Sequence, residues 1–143
     1  MLLLLGLALA APPIVTMDHN QLLPALAPTD GAFDAETVAA VAAWMASKTY
    51  VSTLRVEAHV DDGKPEAQAR SEARALTLAH QLVNAGVACT RLLPVGYGST
   101  MPVAGPGDAS NTRMELEVAA LNGKPIGGMP LDGGGHAAGD PCR

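Results

Sequence analysis

Aromatic side chains are nearly missing from this chain, with one Trp, two Tyr and one Phe in 143 residues. Since 48% of the residues are hydrophobic, the core has to be assembled from Ala, Val and Leu, which spreads burial over many small contacts. Charge of one sign never accumulates. The 9 basic and 14 acidic residues give a net charge of −5 with no block of like sign, which argues against a nucleic-acid surface or an anionic-lipid surface as partner. No apolar run reaches the ~20 residues of a bilayer span, so no transmembrane segment is expected in the mature chain. There is no phosphate-type Gly-rich loop, no Ser in G-x-S-x-G and no H-E-x-x-H. An enzyme is therefore not expected, nor is a cofactor.

Cysteine is scarce too. Cys89 and Cys142 are the two in the chain, and with no CxxC spacing or neighbouring His they do not read as a metal site. They are either a disulfide, favoured in an oxidising compartment, or two buried thiols.

What is present begins with Leu2 to Ala11, an apolar run of signal-peptide length that ends in the small-x-small pattern Ala8-Leu9-Ala10. No Lys or Arg precedes it, so the α-amino group is its positive charge. The expected organisation is a signal peptide over residues 1–11, one domain over 12–121 and a Gly/Pro-rich tail over 122–143, in a protein exported to the periplasm or cell envelope. Ile14 to Met17 favours a strand, and Pro24, Pro28 and Gly31 punctuate a long loop after it. Asp34 caps a helix that begins near Ala35, carries Val38, Val41, Ala42 and Met45 on one face, and ends near Lys48. Val51 to His59 alternates as a half-buried strand does, with Val51, Thr53, Arg55 and Glu57 on one parity and Leu54, Val56 and Ala58 on the other. Helix formers run from Glu66 to Asn84, with an apolar stripe of Ala75, Leu78, Ala79 and Leu82 and a terminator at Gly86. Arg91 to Val95 and Met114 to Val118 are the last strands, separated by a loop from Gly96 to Gly107. The tail should be extended or disordered, with Cys142 as its one anchor. This order predicts an α+β fold, a βαβαββ sandwich of one mixed sheet with two helices packed on one face. Strands joined through helices should be parallel neighbours, and the final strand is free to run antiparallel.

The residues themselves carry a further pattern. They read Ala58-His59-Val60-Asp61, then Ser71-Glu72-Ala73-Arg74-Ala75, Gly86-Val87, Arg91-Leu92, Gly96-Tyr97-Gly98, Pro102-Val103 and Asn111-Thr112-Arg113-Met114-Glu115. In order and spacing this resembles the OmpA-like C-terminal family, whose series is G-H-T-D, L-S-x-x-R-A, G-(I/V), R-(I/L), G-Y-G, P-V and N-R-R-V-E. The resemblance covers about residues 14–120. It departs at Ala58 and Val60, where the family has Gly and Thr, near Ala67, where it has Asn, and at Asp108 and Thr112, where it has Arg. The loop between His59 and Arg74 is shorter than usual.

The resemblance implies non-covalent binding of peptidoglycan, in which Asp61 and Arg74 hold the zwitterionic end of the diaminopimelate side chain. That pairing is chemically sensible, because an ammonium needs an anionic acceptor and a carboxylate suits a planar bidentate donor. Taken without the family, Asp61 and Arg74 are equally an ordinary surface salt bridge worth about 0–1 kcal/mol. Asn111 and Arg113 fall on the N-R-R segment and would orient the cleft, although Arg113 also suits a solvated strand position. His59 shares a strand face with Asp61 and is counted with Asp61, Arg74, Asn111 and Arg113 as a ligand-binding candidate, although it makes no catalytic constellation with Asp61 and also suits a structural role. The alternative function is a degenerate domain of the same fold that serves as a structural or protein-interaction module among other cell-envelope proteins.

Overall fold

In the computed structural model, residues 21–23, 31–126 and 133–143 are described, the first three as backbone. The expected signal segment 1–11 and the run Ile14 to Met17 lie outside them. The elements, in chain order, are β1 (Gln21–Leu23), α1 (Ala35–Ser47), β2 (Val51–His59), α2 (Ala67–Asn84), β3 (Leu92–Gly98), β4 (Arg113–Leu121), β5 (Lys124–Pro125) and β6 (His136–Ala137).

Both helices form where the sequence places them. Asp34 accepts from the Thr37 amide at 3.0 Å, which satisfies one of the unpaired donors at the start of α1. Val38, Val41, Ala42 and Met45 then line its buried face. The last turn of α1 has no basic residue of its own, and Arg91 supplies the cation from a distance. Its guanidinium donates to the carbonyls of Met45, Lys48 and Val51 at 2.9 to 3.1 Å, which ties the end of α1 to the start of β2. In α2, Ala75, Leu78, Ala79 and Leu82 are buried, and Gly86 follows with a φ of +104°, a backbone that L side chains avoid. Gln81 of α2 also exchanges two hydrogen bonds with the backbone of Phe33, clamping the entry to α1 against α2.

The sheet runs β1-β4-β2-β3-β6, with β5 paired to β4 beside β1. β2 and β3 are parallel neighbours joined through α2, as a right-handed crossover favours. β1 and β2 are not neighbours, in contrast to the expectation for strands joined through a helix. β4 enters between them and runs antiparallel to both. One core cluster holds Val38, Val41 and Met45 of α1, Ala75, Leu78 and Leu82 of α2, Leu54, Val56 and Ala58 of β2, and Met114, Leu116 and Val118 of β4. Both helices therefore pack on one face of a mixed sheet. Val51 joins this cluster although its parity sets it with Arg55, because register shifts at Val51/Thr53 and Thr53/Leu54 interrupt the pleat and turn it inward.

Three local readings change. β1 lies at Gln21–Leu23, inside the stretch read as loop, where it pairs with Met114 to Leu116. β3 does not stop at Val95 but continues through Gly98. A Cβ at Gly96 would come within 2.5 Å of the Glu72 amide nitrogen, so glycine there is what lets α2 lie against the strand. The described parts of the tail are extended but not loose. β6 adds antiparallel to β3, Ala138 donates to the Pro94 carbonyl at 2.9 Å, and Cys142 is bonded to Cys89 with their Cα atoms 5.0 Å apart.

Candidate ligand-binding site

Polar side chains concentrate where β2 and β3 end, α2 begins and the chain returns into β4. Ser71 of α2 fixes this corner by accepting from the Gly98 amide at 2.8 Å, while the Val60 amide donates to the Gly98 carbonyl at 2.9 Å. Asp61 follows directly. Its amide donates to Oγ1 of Thr112 at 2.9 Å, and its Oδ2 accepts from the Asn111 side chain and the Gly107 amide, each at 2.9 Å. Among the described residues neither of those donors goes to Oδ1.

Asn111 is the keystone of this arrangement. It is 1% exposed, and its Oδ1 accepts from the amides of Val103 and Ala104 while Nδ2 also donates to the Gly105 carbonyl at 2.8 Å. The 3₁₀ turn that presents it, Ala109–Asn111, is capped by Asp108, which accepts from the Ser110 amide and hydroxyl. Asp108 and Thr112 are two of the departures from the family pattern, and both have local work: one caps the turn, the other receives the Asp61 amide. Arg113 is folded inward, donating to Glu115 at 2.9 Å and to the carbonyls of Asn111 and Met101 at 3.0 and 2.9 Å. It is not a solvated strand residue, because its side chain is bonded at both ends of the guanidinium.

Arg74 lies half-buried in α2, one position before the buried Ala75. Asp61 lies in the short loop 60–66 between β2 and α2, whereas Arg74 is the eighth residue of α2. The loop itself is laced by a pair that the sequence reading missed. Arg70 grips Asp62 with two parallel hydrogen bonds at 2.6 and 2.8 Å and donates to the carbonyls of Pro65 and Lys64. The Arg70 guanidinium holds the Asp62 carboxyl well below the usual carboxylate range. Glu66, at φ +62°, begins α2 without a side-chain cap, and Arg70 fastens the carbonyls of the turn that precedes it. The available signal was the acidic residue eight positions before Arg70 across Gly63, Lys64 and Pro65.

His59 is not brought to Asp61 as a functional partner. It stacks on Tyr97 with ring centroids 4.9 Å apart and planes within 7°, on the sheet face away from the helices. Arg55 and Glu57, expected to be exposed on a half-buried strand, are buried there as well. β2 is flanked by strands on both sides, and Arg55 is ion-paired to Glu57 and to Glu117 of β4. Burial pushes the Tyr97 hydroxyl up, with Glu57 adding to it, to about 12. Burial alone would lower the His59 imidazole, but the carboxylates of Glu115 and Glu57 outweigh it and hold it above its ordinary value.

The fold is thus a mixed sheet under two helices, with a polar corner at the ends of its parallel strands. The family model described as the OmpA family matches residues 31–114, more than half of the chain, and this chain belongs to that family. Solved structures agree on the fold. The OmpA-like domain of FopA1 from Francisella tularensis subsp. tularensis SCHU S4 is 20% identical, with a TM-score of 0.58 over 76% of this chain and 77% of that one. The periplasmic domain of Helicobacter pylori MotB is 19% identical, with a TM-score of 0.60 over 74% and 88%. A putative MotB like protein from Desulfovibrio vulgaris is 18% identical, with a TM-score of 0.57 over 69% and 72%.

Proposed function

We propose that this domain binds peptidoglycan without chemical conversion, gripping the zwitterionic end of a diaminopimelate side chain in the stem peptide. Asp61 accepts from the ligand ammonium, and Arg74 donates a planar fork to the carboxylate. The observation that carries this reading is the setting of Asp61. Thr112, Asn111 and Gly107 hold its backbone and one carboxylate oxygen, so the acceptor is oriented before any ligand arrives and little ordering entropy is lost on binding. Asn111 and Arg113 act through this framework as positioning residues, and His59 supports the strand behind it. Export to the periplasm or cell envelope, with removal of residues 1–11, belongs to the same reading, since the disulfide suits an oxidising compartment.

The test is co-sedimentation with purified sacculi. Arg74→Ala should weaken binding by roughly 1.5–3 kcal/mol, the range for hydrogen bonds to a charged group. Arg74→Lys should recover part of that loss, because it restores charge without the fork. Equal binding by wild type, Asp61→Ala and Arg74→Ala would refute the site and favour a structural or protein-interaction module of the envelope.

A further inference from the structure

The sheet face opposite the helices carries a second polar cluster that the Asp61 corner does not use. Glu57 of β2 and Glu115 of β4 stand directly opposite in register, and like charges so placed destabilise a sheet. Oε1 of each carboxylate is engaged by a cation on its own strand. Arg55 donates to Oε1 of Glu57, as does the Tyr97 hydroxyl at 3.2 Å, and Arg113 donates to Oε1 of Glu115 at 2.9 Å. The Oε2 atoms are the ones beside His59, whose Nε2 lies 3.5 Å from that of Glu115 and 3.9 Å from that of Glu57. His59 is 3% exposed, and although the two carboxylates lie near enough to act on it through charge, neither of its ring nitrogens makes a hydrogen bond of good geometry among the described residues. Leaving such a buried group without a well-formed hydrogen bond is costly, and a buried nitrogen aimed between two carboxylates calls for an occupant.

We propose that Glu57, His59 and Glu115 form a site for one divalent transition-metal ion of the zinc class. Their ligand atoms all lie within 4.8 Å of one another. A tetrahedral ion with bonds of about 2.0–2.2 Å sets adjacent ligand atoms roughly 3.3–3.6 Å apart. The His59–Glu115 separation already has that value, and the Glu57 carboxylate, 3.9 Å from the imidazole, has to swing inward about its tethered Oε1 to complete the set. One imidazole nitrogen with two carboxylate oxygens suits Zn2+, Mn2+ or Fe2+, is too sparse for Ca2+ and lacks the sulfur that Cu+ prefers. Open positions of the ion would be filled by water. Among the described residues, Glu57, Glu115 and Glu117 against Arg55 and Arg113 leave one net negative charge with a neutral imidazole, so the ion relieves the facing carboxylates while the two guanidinia oppose it. The site is accordingly weaker than a thiolate-built structural zinc centre.

The full chain, stripped with EDTA, is titrated with ZnCl2 by calorimetry near neutral pH, and its imidazole resonances are followed by long-range 1H–15N spectra. One equivalent of Zn2+ should bind, raise the thermal midpoint, and shift Nε2 of His59 while fixing the proton on Nδ1. Co2+ in its place should give visible d–d absorption. His59→Gln and Glu115→Gln should each weaken binding by more than the roughly 10–100-fold that loss of a supporting partner costs, whereas His80→Ala and His136→Ala should leave it unchanged. If either site variant fails to fold, the wild-type imidazole spectrum decides. Absence of saturable heat, Zn2+ shifts confined to other histidines, or a His59 ring that responds to acid but not to Zn2+ would overturn the proposal, the last by showing that a proton is the only occupant.

Discussion

Asn111 donates from Nδ2 to Oδ2 of Asp61 at 2.9 Å, joining two residues fifty positions apart in the sequence. The same amide holds the 103–105 backbone through its other contacts. Asn111→Ala should therefore remove a fully buried hub and strand its partners, with a stability loss of roughly 1–3 kcal/mol. Urea unfolding measures the loss. Sacculus binding should fall further than the change in folded fraction explains, because Asp61 loses its fixed orientation. Asn111→Asp is the sharper probe, since it puts a second carboxylate against Asp61 and should be worse than alanine near neutral pH.

The Asp62–Arg70 pair gives a pH signature. The Asp62 carboxyl is depressed, chiefly by its hydrogen bonds to Arg70. Its contribution is therefore complete above the ordinary carboxylate value of about 3.9 and is lost as pH falls through the lower, folded-state value. The stability difference between wild type and Asp62→Asn should be flat from neutral pH down to about pH 5 and should close in more acid solution. Carbon-detected titration of the Asp62 carboxyl checks the cause: in Arg70→Ala it should titrate in the ordinary range. An ordinary titration in the wild type would contradict the paired geometry.

Gly96 is the point of closest approach between β3 and α2. A Cβ there meets the Glu72 amide nitrogen at 2.5 Å and its Cα at 2.8 Å, and a helix backbone cannot rotate aside as a side chain can. Gly96→Ala should cost about 1–3 kcal/mol, the usual range for overpacking. Gly105→Ala, where a Cβ meets nothing within 4 Å, should be close to neutral. Parallel thermal melts of the two variants separate the steric effect from any general intolerance of Gly replacement.

Cys89 and Cys142 close a loop with a sequence separation of 53, which the chain-entropy model values at about 4 kcal/mol. Reduction, or paired Cys→Ser substitution, should lower stability by a large share of that amount. Amide exchange should then rise first at Ala137 and Ala138, whose backbone is held by β3. Unchanged exchange in the reduced chain would mean that β6 stays paired without its covalent anchor.

Local signals made most of the framework legible. Asp34 before an amphipathic run fixed α1, the stripe from Ala75 to Leu82 with Gly86 beyond it fixed α2, and Val51 to His59 has the observed bounds of β2. What escaped was decided by partners distant in sequence. Gln21–Leu23 becomes a strand because β4 is beside it, and the glycines at 96 and 98, which read as a loop, stay in β3 because α2 packs closely there. The insertion of β4 between β1 and β2 leaves no trace in periodicity. The parity of Arg55 and Glu57 correctly put them on one face, but alternation cannot distinguish a solvated row of charges from one buried with its own counterions. At the corner, the resemblance points to both Asp61 and Asn111, and the two meet. Arg70 falls outside the family series, whose arginine in this helix coincides with Arg74.

The docked tail also bears on how copies of this protein behave toward one another. A parallel sheet edge such as β3 exposes a row of amides and carbonyls that another chain can adopt, and long unprotected edges are a route to polymerisation. Here His136–Ala137 covers Val95 and Gly96 of that edge, β6 is only two residues long, and Pro141 follows close behind it. The two-residue strand offers too short a template for further addition, so the disulfide-fastened tail ends the sheet and works against self-association at that edge.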